Sequence, residues 1–419
     1  MPSHVAVIGA GIVGACCALE LAKSGHRVTL IEPGVPGGVQ AASYGNGGWI
    51  SPASVVPISM PGLWRKVPAY LLDPRGPVTI RWTKLPRLAP FLLRFLRAGS
   101  TVGRVERTAL ALNDLLHDAP RRHNALAEEI GRAELIRNTG LLYAFPSRGA
   151  FEAEGLAWRL RRDNGVAWEE LAEEELWRRE PALAKRYRFG VFIEAGAYCV
   201  DPGAYVAAIG RAALEAGATL VKTEAKDFVF DGNRLRAVRT GASDIACDRA
   251  VIAAGIGSKR LARQSGDRVP LESERGYHAV IENPSIALRA PVMPSDGKMA
   301  NTPTLAGLRL AGQVEFASSD ASVNWKRAEI LIDHAIATYP GLGPRNELKV
   351  SRWFGHRPST PDGLPVIGHS SRSKDVTYAF GHGHIGLAAG PFTGVLAAAL
   401  TAEGDASMDI KAFSPSRFW

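Results

Sequence analysis

The chain has 419 residues, 46% hydrophobic and 22% charged, with a formal net charge of +9. That length is more than one compact core serves, so two domains are expected, and the composition is that of a soluble globular protein. The positive balance suits an acidic substrate or an anionic membrane surface; no segment that interleaves basic and aromatic residues marks a nucleic-acid module, so no nucleic acid is expected as a partner.

The first legible unit runs from His4 to Glu32, HVAVIGAGIVGACCALELAKSGHRVTLIE. Val5 to Ile8 read as a short buried strand, and Gly9, Gly11 and Gly14 follow with the spacing G-x-G-x-x-G. An apolar-periodic helix continues to about Lys23, and a second strand, Arg27 to Ile31, ends on Glu32. Gly9 makes the tight turn, Gly11 lets the backbone approach a pyrophosphate, and Gly14 lets helix and strand pack closely. Ala10, Ile12 and Val13 carry the turn into the helix, whose N-terminus presents free N–H groups to phosphate. Glu32, with Pro33 behind it, stands where a carboxylate accepts hydrogen bonds from a ribose diol, and it would repel a 2′-phosphate. The unit therefore reads as a dinucleotide site for FAD or NAD rather than NADP.

The loop after Glu32, PGVPGGVQAASYGNGGWISP, leaves the carboxyl end of the second strand, the edge where ligands bind in open α/β sheets. Ser43, Asn46, Gly47 and Gly48 are its candidate cofactor residues. The proline-rich stretch Pro57 to Gly103 is unlike a doubly wound unit. Within it, Leu88, Phe91, Leu92, Phe95 and Leu96 share one helical face flanked by Arg87, Arg94 and Arg97. Such a segment either covers a core or lies on a membrane surface. Helix is expected over 105–136, 148–164 and 168–180, and strand over 138–146 and 189–199.

Asp201-Pro202 opens a helix to about Glu215, with strands after it at Thr219 to Lys222 and at Arg249 to Ile252. Between them a hairpin turns at Asp231-Gly232. Strands are expected at Glu272 to Ile281 and Leu308 to Ala317, and a helix at Trp325 to Ala337. The chain closes with SRWFGHRPSTPDGLPVIG and then VTYAFGHGHIGLAAGPFTGVLAAAL, a strand, a glycine-rich turn and a helix. The run Ile385 to Ala402 is uncharged but broken by Gly386, Gly390, Pro391 and Gly394, and reads as a buried helix rather than a span. Cys16, Cys17, Cys199 and Cys247 make no C-x-x-C pair and suit a reduced compartment. The nucleotide strand begins at residue 4, which leaves no room for a signal peptide, so a cytoplasmic location is expected.

Three separated segments thus resemble parts of one cofactor site: the first glycine motif, VIAAGIGS at Val251 to Ser258, and the turn before the last helix. A second glycine-rich strand end, with Ala254 and Gly255, suits an extended cofactor carrying a further ring. The last helix, entered through Gly383, His384, Ile385, Gly386 and Leu387, would aim its N-terminus at that ring. Reduced flavin is anionic around N1 and C2=O, and a helix dipole stabilises that charge, which favours FAD over NAD.

With these pieces assembled, the chain resembles the FAD-dependent D-amino-acid oxidase superfamily, and within it the D-amino-acid dehydrogenase small-subunit branch. The matching stretches are VAVIGAGIVG with Glu32, ASYGNGGWISP, PLESERGYH, WFGHRPSTPDGLPVIG and GHGHIGLAAGPFTG. The resemblance implies an α/β fold. A discontinuous Rossmann-type FAD domain would come from residues 1–55, 200–268 and 350–419. An α+β substrate domain with a mostly antiparallel sheet would come from 56–199 and 269–349. It implies hydride transfer from the Cα of a D-amino acid, including cyclic ones such as D-proline or hydroxy-D-proline, to flavin N5. Electrons would pass to a quinone or another carrier, with peripheral contact at the inner face of the cytoplasmic membrane. An oxygen-using oxidase of the same fold and a subunit of a hetero-oligomeric dehydrogenase are the alternatives.

Arg357, in WFGHRP, matches the family arginine that holds the substrate carboxylate, a task suited to a planar bidentate donor. Gly355 would let the backbone lie against the flavin. Tyr277 would share the carboxylate or wall the pocket. His382 and His384 resemble residues beside the flavin's reactive edge, where a histidine orients the amine or tunes the potential. No general base is nominated, because an amine that arrives neutral needs none. No His/Cys/Asp cluster has ligand spacing, so no metal is expected.

Overall fold

The computed structural model describes residues 2–65, 73, 76, 78–81, 84–317 and 320–419. One six-stranded sheet is built around His4–Ile8. Its order is Thr219–Val221, Arg27–Ile31, His4–Ile8, Arg249–Ile252, Val376–Phe380 and Val366–His369. Every neighbouring pair is parallel except the last. These strands read as continuous apolar runs because both faces are covered. Val5 and Val7 point to one face, among residues of the helices Ile12–Lys23, Pro202–Glu215 and Gly386–Thr401. Ala6 and Ile8 point to the other, against the three-stranded sheet of Ala225–Asp231, Arg234–Thr240 and Asp244–Ala246 and the helix Ser258–Gln264.

The second sheet has nine strands and is mostly antiparallel. Its main path is Val350–Ser359, Glu272–Ile281, Gly307–Phe316, Ala300–Thr304, Val292–Pro294, Leu141–Phe145, Phe189–Ile193 and Glu169–Leu171. Val78–Ile80 pairs in parallel beside Gly307–Phe316. The helix Lys326–Thr338 buries Leu331, Ile332 and Ala335 against Ala279, Ile281 and Leu310 of this sheet.

Several expectations shift in detail. Val350–Ser359 pairs along its whole length with Glu272–Ile281, so it is a strand of the second sheet, and a division at residue 350 separates it from that partner. The helix expected over 105–136 is two, Val102–Leu116 and Ala119–Glu129, because Pro120 starts a new first turn. The acidic segment 168–180 opens as an edge strand, Glu169–Leu171, and becomes helix only from Glu173. The strand expected over 189–199 is two strands in different sheets, turned at Glu194 to Gly196.

The amphipathic helix is Leu85–Ala98, although part of the stretch from Pro57 to Gly103 lies outside the described residues. It turns its apolar face inward: Leu88 and Phe91 are buried with Ile80 and Phe316. Among the described residues no helix is long and apolar enough to cross a membrane.

Candidate active site

One cavity of about 930 Å³ runs between the two sheets. At one end it is lined by Gly9, Gly11, Glu32 and Pro33, along its middle by Ser43, Asn46, Gly47, Ala254 and Gly255, and at the other end by Arg357 and the Gly383–Leu387 turn.

The nucleotide end is shaped by glycine where glycine is required. Gly9 has φ +101°, and a side chain there would lie 2.5 Å from the Ala253 carbonyl oxygen. A side chain at Gly14 would lie 1.9 Å from the Gly9 carbonyl oxygen, so the helix can sit on the turn only without one. Gly11 is different: its missing side chain would meet only Ser43 Oγ, at 3.3 Å, and one at Gly255 would meet nothing within 4 Å. Both open onto the cavity, so a β-carbon there would occupy ligand space rather than protein. Ser43 Oγ accepts from the Ile12 N–H at 3.0 Å, at the start of the first helix. The Glu32 carboxylate accepts from the Ala10 N–H at 2.8 Å and the Gly34 N–H at 3.1 Å, and so is fixed at the cavity wall. Gly48 turns away from the cavity: its φ is +80°, and a side chain would strike the Cys199 carbonyl oxygen at 2.6 Å.

The final helix, Gly386–Thr401, begins at the cavity with Gly386 and Leu387 on the wall. Its first turn is held from behind by His123, whose Nε2 lies 3.0 Å from the Leu387 carbonyl oxygen. A carbonyl can only accept, so Nε2 carries the proton and Nδ1 accepts from the Tyr205 hydroxyl at 3.1 Å. Burial pushes His123 down to about 4, so the ring is neutral.

The other end is set by the register of two strands. Glu274, Gly276 and His278 stand opposite Arg357, Gly355 and Trp353. Successive side chains alternate between faces, so these six share the face toward the cavity. The two glycines make room for their neighbours. A side chain at Gly276 would lie 2.5 Å from Arg357 Cζ, and one at Gly355 would lie 2.0 Å from the Trp353 indole. Arg357 thus lies flat over Gly276, donating to the Gln313 carbonyl oxygen at 3.0 Å and the Gly312 carbonyl oxygen at 3.4 Å. A bulge in Gly307–Phe316, with Gln313 at φ +58°, turns that carbonyl toward it. Burial lowers the guanidinium's pKa while the Glu274 charge opposes the shift.

Trp353 lies beside Gly355 and stacks on His278 at 5.2 Å, and both Trp353 and Gly355 line the cavity. Tyr277 keeps only the second of its two expected roles. It belongs to the opposite face, where its hydroxyl donates to Glu315, and Glu315 is bridged at 3.2 Å by Arg275 and at 2.9 Å by Arg81. Burial and that carboxylate push the Tyr277 hydroxyl up to about 12. It borders the cavity but its hydroxyl is committed, which withdraws it from sharing a substrate carboxylate with Arg357.

His384 lines the cavity and is exposed to it; its enclosed position and the Arg357 charge hold it down at about 4. His382 is buried, with Nε2 3.0 Å from Thr393 Oγ1 of the final helix, which makes it a brace for that helix. Among the described residues no His/Cys/Asp/Glu group could hold a metal.

Glu274 was not singled out from sequence, yet it lines the cavity beside Arg357. The period-2 placement of Glu274, Gly276 and His278 was the available signal. Ile80, Leu92, Phe95, Leu96 and Phe316 add an apolar wall at this end.

A glycine cradle at a helix start, a carboxylate at the second strand end and a helix N-terminus at the far end are the features of a dinucleotide-binding protein. The comparisons carry this further: the model of the DAO family, FAD-dependent oxidoreductases, matches residues 4–400, and the chain belongs to that family. Its cofactor is FAD. The chain is 54% identical over 417 residues to a D-amino-acid oxidase of Bradyrhizobium diazoefficiens, covering 99% of each. It is 31% identical over 396 residues to a D-amino acid dehydrogenase of Agrobacterium fabrum, covering 91% of this chain and 92% of the relative. The crystal structure of glycine oxidase from Geobacillus kaustophilus superposes with a TM-score of 0.75 at 24% identity over 99% of each chain, a likeness of fold.

Proposed function

We propose that this chain oxidises D-amino acids at Cα. The observation that carries the reading is Arg357, a guanidinium laid flat on the cavity wall with only part of its fork engaged by backbone carbonyls. Such a group binds a carboxylate through paired N–H donors and thereby fixes which face of Cα is presented. Glu32 would hold the adenosine ribose, Gly11 and the first helix turn the pyrophosphate, and the start of the final helix the ring. Bound FAD supplies the acceptor for the hydride that leaves Cα. Leu92, Phe95 and Phe316 exclude water around the substrate. The imine product hydrolyses to a 2-keto acid and ammonia, or remains cyclic when the substrate is a proline.

The name of the relative at 54% identity supports oxygen as the electron acceptor, and the dehydrogenases near 30% support a quinone or another carrier. The inward-facing helix Leu85–Ala98 gives membrane contact no support of its own. The test is a panel of D- and L-amino acids, glycine and both prolines, assayed for ammonia and 2-keto acid or cyclic imine, with oxygen and a quinone analogue as alternative acceptors. Product from D-substrates is the expected result, and turnover confined to L-amino acids would overturn the reading.

A further inference from the structure

The cavity holds a second charge that the carboxylate-binding role does not use. Glu274 sits directly opposite Arg357 in the strand register, on the same face and one residue pair from the bulge at Gln313. It is 3% exposed and lines the cavity together with His384, Ile58 and Phe95. The other acids on this cavity wall, Glu32 and Glu224, stand on its nucleotide side. Burying a carboxylate is costly unless a partner meets it. Arg357 donates to the carbonyls of Gln313 and Gly312, and no nitrogen of it lies within salt-bridge distance of Glu274. The two charges are neighbours that leave a gap rather than a closed ion pair. The gap opens on the cavity beneath the apolar wall.

We propose that Glu274 and Arg357 form a split clamp for an α-amino acid, with Arg357 taking the substrate carboxylate and Glu274 accepting N–H bonds from the neutral amino group on the same Cα. Opposite charges on directly opposed residues of adjacent strands can each meet one of the two polar groups that an α-amino acid carries on a single carbon. The clamp selects for an amino group: a carboxylic acid without one meets an unanswered buried carboxylate, and specificity of this kind comes from the polar group left unpaired. Glu274 is thereby a specificity-determining residue, and 2-hydroxy acids and simple aryl acids are the ligands it disfavours. Burial raises its carboxyl pKa, while the Arg357 charge and the Ser359 hydroxyl pull it down.

The inference rests on the proposed oxidation of D-amino acids, and its test separates the two. The purified holoenzyme and its Glu274→Gln variant are compared for KM with the best substrate among D-alanine, D-methionine and D-proline, and for benzoate affinity from the shift of the flavin spectrum. Glu274→Gln is expected to raise KM about tenfold or more while benzoate binds as tightly as before or a few-fold tighter, and Glu274→Asp is expected to recover part of the loss. A change of both ligands by the same factor, or no change in either, would overturn the clamp. A wild-type enzyme that oxidises no D-amino acid would overturn the functional reading itself. A variant that loses its flavin is replaced by Glu274→Asp with the same two ligands, where an unaltered ratio of KM to benzoate Kd overturns the clamp.

Discussion

Arg357 and Gly276 show how one residue's chemistry depends on another's absence. The guanidinium lies flat because position 276 has no β-carbon, and it keeps part of its fork free because a bulge delivers the Gln313 carbonyl to one N–H group. Arg357→Ala removes a charge-assisted pair with the substrate worth about 2–3 kcal/mol. The expected result is a protein that stays yellow with kcat/KM lowered about 30- to 150-fold, measured by steady-state kinetics. Unchanged kinetics would remove Arg357 from the site. At the nucleotide end, two glycines of one motif have separable jobs. Gly14→Ala places a carbon on the Gly9 carbonyl and should cost about 1–3 kcal/mol of stability, read as a lower Tm. Gly11→Ala meets only Ser43 Oγ, so the Tm of the apoprotein should hold while FAD affinity falls at least tenfold.

At the scale of elements, the final helix begins at the cavity wall. It is held by side chains the sequence did not connect to it: His123 from Ala119–Glu129 reaches its first-turn carbonyls, and Thr393 receives His382. His123 carries a stability consequence with a definite sign. Its folded pKa, about 4, lies below the ordinary 6.5, so its contribution is fully present above pH 6.5 and is lost as pH falls toward 4. For this one group the loss at pH 5 is about 2 kcal/mol. His278 and His382, each pushed down to about 3 by burial, act in the same direction. The Tm should fall between pH 7 and pH 5, and His123→Gln should show a smaller fall; an equal slope in both proteins would contradict the assignment. What was legible at this scale was whatever local pattern determines. The glycine motif and the strand His4–Ile8 are set by local spacing, and the last helix by an uncharged apolar run buried on nearly every side. The break at Pro120 and the edge strand Glu169–Leu171 were misread, because in the first a helical pattern continues across a proline and in the second a partner strand overrides an acidic, helix-favouring run.

For the whole molecule, the parallel sheet followed from the glycine motif and the strands that return to it, and the mostly antiparallel one from the family resemblance. The point where the chain crosses between them did not. Val350–Ser359 looks, in sequence, like the approach to the last nucleotide-binding strand, yet it is stitched to Glu272–Ile281 over ten residue pairs. That pairing brings Arg357 and Glu274 together, and pairing between segments some 80 residues apart leaves no trace in either segment. Tyr277 lines the cavity, as one of its two expected roles had it, but the commitment of its hydroxyl was not legible, because the network around Glu315 joins residues distant in sequence.

The measurement that bears most directly on the whole is anaerobic. The purified holoenzyme is mixed, without oxygen, with each of a panel of D- and L-amino acids while its visible spectrum is recorded, and air or a quinone analogue is then admitted. Bleaching of the flavin band by D-amino acids and not their L-enantiomers, with colour returning on contact with one acceptor, is the expected result. A flavin that stays fully oxidised with every D-amino acid would contradict it.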